Sequence, residues 1–251
     1  MNDSQRRLDR IVKWIYEVAD PWMQDAANAQ PQPGSDLAVD DAEHPPSSPL
    51  SHRGKVMALD HLGAVVDAVA ASPPMRLNAH FTALRTALIC GARVCWLLEP
   101  DSSNGRQLRA IRYRYENLEE QRKAMTDFAD THLNDDEDKA LAESLVITEL
   151  ERQALNKRAL ELGAKLTTPT STTQMMKDLV NLTTPGGTGM VHLWRTGSAS
   201  AHGHYWADDM RDNPAAFDHK WFQPAIQGTV LTINDALILR RKRATTRSGR
   251  D

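Results

Sequence analysis

The chain has 251 residues, of which 41% are hydrophobic and 25% charged, proportions that are typical of a globular protein and exclude a wholly disordered one. Its formal net charge of −3 gives no overall attraction to nucleic acid, so such binding would depend on local clusters of cations. The chain starts with charged residues, and Arg85 and Arg93 interrupt its best apolar run before it reaches the about 18 to 20 residues of a membrane helix. We therefore expect a cytoplasmic protein without a membrane segment.

Two segments precede the expected core. Residues 1–29 carry apolar side chains three and four positions apart, which predicts one amphipathic helix. Residues 30–52 are rich in proline and contain four acids but no lysine or arginine, namely Asp36, Asp40, Asp41 and Glu43. This composition is typical of a solvated linker. We therefore expect a helical N-terminal appendage joined to the rest by a segment without regular structure.

Residues 53–241 are predicted to form an all-α helical bundle, because their apolar residues recur with helical spacing and no strand-like alternation is present. Residues 81–98 form the most apolar helix and should lie at its centre. Two long amphipathic segments follow and predict an antiparallel hairpin. Asn134 is expected to cap the second helix of this hairpin, and Gly163 suits the position just after its end.

The last third of the predicted bundle consists of a loop, two helices and a tail. Residues 184–189 contain proline and three glycines and are expected to form a loop. A helix should follow over about 190–208, and the last helix should end near Arg241. Residues 242–251 are then expected to form a basic, disordered tail.

The segment from Arg195 to His202 is the candidate functional site of the sequence. On a helix, residues seven positions apart lie about 20° from alignment, so Arg195 and His202 project from the same face. The residues between them are small, which leaves room for a helix, a second subunit or a substrate to approach. A guanidinium can hold a phosphate while an imidazole acts as general acid or base near neutral pH. This pair suits cleavage of RNA without a metal, where the 2′-hydroxyl is the nucleophile.

With these residues the sequence resembles the HEPN superfamily of helical-bundle proteins. Its ribonuclease members carry an Arg, about four to six residues and a His on a late helix, and six residues separate Arg195 from His202. The position after the Arg is typically Asn, Asp or His in that family, whereas this chain has Thr196. The resemblance implies a helical bundle, a homodimer that brings two motifs into one cleft, and metal-independent endoribonuclease activity without a cofactor. It also implies a toxin or a phage-defence role, with RNA as substrate and a cognate inhibitor protein as partner.

Further cations are candidates for binding nucleic acid. Arg85 and Arg93 share a face of the most apolar helix, where they would either pair with acids such as Glu116 or add positive potential to the cleft of Arg195. The end of the chain adds four more candidates, namely Arg240, Arg241, Lys242 and Arg243. They would give phosphate affinity without sequence preference.

Two other functions compete with the ribonuclease. His204 and Asp208 lie one helical turn apart and would share a metal ion in a metal-dependent hydrolase, although no third ligand is evident. The chain would otherwise be a non-catalytic helical interaction module with a regulatory or structural role. In that case Arg195 is a salt-bridge residue and His202 a polar group where two helices cross.

Overall fold

The computed structural model describes residues 30–71, 75–129, 131, 134–166, 170–179 and 185–246, together with seven residues between 6 and 17. Within these ranges all regular structure is α-helical, as predicted, and the helices pack into a bundle. From residue 30 onward the helices are α1 (Asp36–Asp40), α2 (Ser47–Ala70), α3 (Ala79–Leu98), α4 (Ser103–Ala129), α5 (Asp135–Glu161), α6 (Thr172–Leu179), α7 (Pro185–Ala201), α8 (Trp206–Asp209) and α9 (His219–Ala244).

Helix α3 lies at the centre of the bundle, as the sequence predicts for residues 81–98. Twelve of its twenty residues are buried, and it packs against α2, α7 and α9. Among the helices that the structure describes, α3 alone is long and apolar enough to cross a membrane, but 67% of that stretch is buried inside the protein. Burial of this kind is also found in the core helix of a soluble protein, so the absence of a membrane segment stays a prediction.

Helices α4 and α5 pack against each other as the predicted hairpin. They enclose a small second core of Ile111, Leu118, Leu155 and Ala159. The side chain of Asn134 accepts hydrogen bonds from the backbone N–H groups of residues 136 and 137, and the Glu137 carboxylate accepts one from the Asn134 N–H. This reciprocal capping box begins α5 at the predicted residue. Gly163 follows its end with a φ of 76°.

The prediction that residues 30–52 form a linker without regular structure is wrong. Ser35 caps α1, Leu37 on that helix is fully buried, and α2 already begins at Ser47. The acids that suggested a solvated linker include Asp40, which is completely buried and bonded to Arg106. Its counter-charge comes from a residue 66 positions away, so the local sequence gives no sign that this carboxylate is paired.

The end of the last helix also differs from the prediction. Helix α9 continues to Ala244, so residues 242–244 are not part of a tail. Arg243 is only 2% exposed, and its guanidinium donates to the carbonyls of Leu98, Glu99 and Pro100 and to two carboxylates. These carbonyls end α3, and a cation at the negative end of a helix dipole is stabilising. Residues 247–251 lie outside the described part.

Helix α7 differs from the prediction at both ends. It begins at Pro185, inside the predicted loop, and it ends at Ala201 instead of near residue 208. Proline suits the first turn of a helix because its missing N–H has no partner there. Gly203, with a φ of 68°, ends the helix and turns the chain towards α8.

Most of the predicted N-terminal helix lies outside the described residues. Those described between 6 and 17 are helical. Val12 is buried, and the Tyr16 hydroxyl donates to the Asp67 carboxylate of α2 over 3.4 Å.

Candidate functional site

Helix α7 crosses α3 at very short range, and Gly197 permits this approach. A Cβ atom at Gly197 would lie 2.7 Å from the Cβ of Arg85 and 3.0 Å from the carbonyl oxygen of Phe81. Two polar contacts hold the crossing together. The Arg85 Nε donates to the Ser198 Oγ over 2.8 Å, and the hydroxyls of Thr82 and Ser200 lie 2.9 Å apart. The small residues of the motif therefore accommodate a helix of the same chain.

Arg195 and His202 are both exposed, but the helix predicted to carry both of them ends before His202. Arg195 is two turns before the end of the helix, and His202 is the first residue after it. The backbone N–H of His202 donates to the carbonyls of Ser198 and Ala199, which fixes the start of the turn. Seven residues correspond to about 10 Å along a helix axis. Neither side chain has a hydrogen bond or ion pair within the described residues, and the ring of His202 lies 6.1 Å from that of His204. Both side chains are therefore accessible to a ligand.

Arg85 is the second cation beside the motif. Its guanidinium stacks over the Trp194 ring at 4.3 Å and bonds Ser198, which lies between Arg195 and His202 on the helix. Burial against α7 lowers the pKa of Arg85, and the positive charge of Arg93 lowers it further. Within the described residues the polar partner of Arg85 is the Ser198 hydroxyl, so the pairing with an acid that the sequence offers as one role is not observed for it.

The other predicted cations do not converge on this site. Arg93 pairs with Glu116 over 3.5 Å and lies over the Tyr113 ring. Arg240 and Arg243 are buried near the C-terminal end of α3, whereas Arg241 and Lys242 are exposed. That end of α3 is about 20 Å from Arg85 along the helix axis. The nucleic-acid role predicted for Arg243 is not compatible with its burial, because its guanidinium is already bound by backbone carbonyls and carboxylates.

An aromatic surface lies beside α7, and the sequence analysis missed two of its residues. The ring of His192 stacks on Trp221 with centroids 4.4 Å apart, and together they line a cavity of about 60 Å³. Burial lowers the pKa of His192, partly opposed by the charge of Asp218. Tyr205, Trp206 and Trp221 are all exposed. His192 could have been found from its position three residues before Arg195 on one helix, but Trp221 comes from α9 and has no local signal.

The geometry does not favour the metal alternative. His204 and Asp208 were expected one turn apart on a single helix, but the chain leaves α7 at Gly203 and Asp208 lies in the short helix α8. The Asp208 carboxylate pairs with Arg211 over 3.2 Å. Among the described residues, no group of three or more His, Cys, Asp or Glu side chains is arranged to hold a metal ion.

Comparison of the chain with models of protein families, with curated proteins and with solved structures finds no match.

Proposed function

We propose that the protein is a HEPN-like RNA-processing or defence protein, and that Arg195 and His202 cleave RNA without a metal. One observation carries this proposal. An arginine and a histidine with the spacing of the HEPN motif are both exposed, Arg195 on α7 and His202 directly after its end, and neither has a hydrogen bond or ion pair within the described residues. A structural arginine or histidine at a helix crossing would be paired or buried, as Arg93 and His192 are in this protein.

The proposed reaction uses the nucleophile that RNA already carries. His202 removes the proton of a ribose 2′-hydroxyl, whose oxygen attacks the adjacent phosphorus. The bond from phosphorus to the 5′-oxygen breaks, and that oxygen takes up a proton. The products are a 2′,3′-cyclic phosphate and a 5′-hydroxyl. Arg195 binds the phosphate oxygens, where negative charge develops in the transition state.

The surroundings of the pair suit this substrate. Arg85 lies against Ser198 on the same helix and adds positive charge that would attract a phosphate. Tyr205, Trp206 and Trp221 are exposed beside α7, and unpaired bases of RNA stack on aromatic side chains of this kind. The resemblance also implies a homodimer with two motifs in one cleft, which would supply a second histidine to the same phosphate.

The test is cleavage of single-stranded RNA by the purified full-length chain with and without a chelator. Arg195→Ala and His202→Ala should each remove cleavage and leave the circular dichroism spectrum unchanged, because both side chains are exposed. Arg53→Ala and His204→Ala are matched controls, since they remove exposed residues of the same types outside the pair. Both controls should keep activity, and the new ends should be a cyclic phosphate and a 5′-hydroxyl.

Two results would overturn the proposal. Loss of cleavage in the chelator, together with loss in His204→Ala, would favour the metal-dependent alternative. Absence of cleavage with every RNA tested would leave the non-catalytic interaction module.

A further inference from the structure

Helix α5 exposes an apolar face on the side opposite to α4. The residues that pack on α4 include Thr148, Leu155 and Ala159, which are buried. On the other side Val146, Ile147 and Leu150 are 59%, 65% and 60% exposed. Single exposed apolar residues are ordinary, but three neighbours at the middle of one helix form a patch of the kind that marks a protein interface.

Charged residues are arranged around this patch with opposite signs at equal distances from Leu150. Glu143 lies seven residues before Leu150 and Lys157 seven residues after it. Lys139 lies eleven residues before it and Glu161 eleven residues after it. Offsets of seven and eleven residues return to the same helix face. Three of these four residues are exposed and have no ion pair within the described residues, namely Lys139, Glu143 and Lys157. The fourth, Glu161, forms an ion pair with Arg158 of the same helix.

We propose that this face binds α5 of a second copy of the chain in antiparallel orientation, with the twofold axis at Leu150. Leu150 then meets Leu150 of the other copy, and Val146 meets Ala154. Glu143 faces Lys157, and Lys139 faces Glu161, so four ion pairs flank the apolar centre. In a parallel pairing each charged residue would face the same residue of the second copy, so like charges would repel each other and disfavour this orientation. This dimer is not the one that the resemblance implies, because α5 makes no contact with α7 within the described residues. The inference is therefore independent of the proposed ribonuclease activity.

The size of the face indicates how strong the dimer is. Helix α5 has 27 residues and is therefore about 40 Å long. Only one face of this helix makes the contact, so it involves fewer than the about 20–30 residues per partner of a standard stable interface. We therefore expect a dimer that dissociates on dilution, and whose stability depends on salt because its ion pairs lie at the rim.

The test is sedimentation of the full-length chain over a wide range of concentration. The wild type should pass from monomer to dimer. Glu143→Lys and Lys157→Glu should each weaken the dimer about tenfold, because each places like charges opposite each other at two symmetry-related positions. The double variant should restore wild-type association, because the acidic and the basic residue have then exchanged positions and opposite charges face each other again. Leu150→Asp should abolish the dimer, because it places two carboxylates together on the twofold axis. Leu150, Glu143 and Lys157 are all exposed, so the circular dichroism spectrum of each variant should stay unchanged.

A cross-linking experiment tests the register. Leu150→Cys should form a disulfide between two copies under mild oxidation, because the two side chains meet on the axis. Asn156→Cys is the matched control, since Asn156 is exposed but lies on another side of α5, and it should stay uncross-linked. The proposal is overturned by a chain that stays monomeric at all concentrations. It is equally overturned by a dimer that tolerates Leu150→Asp, or by a double variant that does not recover.

Discussion

The close crossing of α3 and α7 predicts an unusual effect of a glycine-to-alanine substitution. In the middle of a helix this change normally stabilises a protein by about 1 kcal/mol, because alanine has the higher helix propensity. At Gly197 the new methyl group would lie 2.7 Å from the Arg85 Cβ, whereas ordinary contact begins at 3.4 Å. The two helices would have to move apart by about 0.7 Å to relieve this overlap.

The net effect can be estimated from opposing contributions. Overpacking costs about 1–3 kcal/mol, and separation of the helices weakens the hydrogen bonds of Ser198 and Ser200, each of which contributes about 1 kcal/mol. The gain in helix propensity offsets about 1 kcal/mol of this loss. We expect Gly197→Ala to lower the free energy of unfolding by about 2 kcal/mol, which is about thirtyfold in the folding equilibrium.

Gly189 provides the matched control in the same helix. A Cβ atom there meets nothing within 4 Å, so Gly189→Ala should raise the free energy of unfolding by about 0.5–1 kcal/mol. Urea unfolding followed by circular dichroism measures both variants. If Gly197→Ala proves as stabilising as Gly189→Ala, the short approach of the two helices is wrong, and so is the position assigned to Arg85.

Two further predictions concern buried and half-buried charges. Arg106→Met and Asp40→Leu should each lower the free energy of unfolding by about 3–5 kcal/mol, because each leaves the other charge buried and unpaired. In a double-mutant cycle measured by denaturant unfolding, the double variant should lose less stability than the sum of the two single losses. Additive losses would contradict the pairing. Burial beside Phe217 and Phe222, and then the charge of Arg76, lower the pKa of His80. Its contribution to stability is therefore present above the ordinary histidine pKa of about 6.5 and is lost as the pH falls through the lower folded pKa. The stability of the wild type relative to His80→Gln should thus decrease between pH 8 and pH 5, and a pH-independent difference would contradict this reasoning.

The features that the sequence predicts correctly depend on local signals. The apolar spacing of residues 81–98 identifies the central helix, and the Asn134 to Glu137 capping box identifies the first residue of α5. These predictions hold because neighbours within a few residues determine helix faces and helix ends.

The features that the sequence does not predict depend on distant partners. Asp40 is interpreted as a linker acid because Arg106, which neutralises it, belongs to another helix. Arg243 is interpreted as a tail cation because its acceptors end α3. Composition likewise does not distinguish Arg85 from Arg93, although only Arg85 contacts α7. Tertiary contacts determine each of these outcomes, so a pattern within one segment cannot supply them.

The bond between Arg243 and Asp36 has a consequence for the order of folding. These residues are separated by 207 positions, so the carboxylate of α1 emerges from the ribosome long before its partner exists. At synthesis rates of about 5–20 residues per second, this interval lasts roughly 10–40 seconds. Contacts of such long separation also slow folding, because a large loop must close before they form. The contacts of Asp40 with Arg106 can form much earlier, so the ion pair of Asp36 with Arg243 is the last link of this segment to be made.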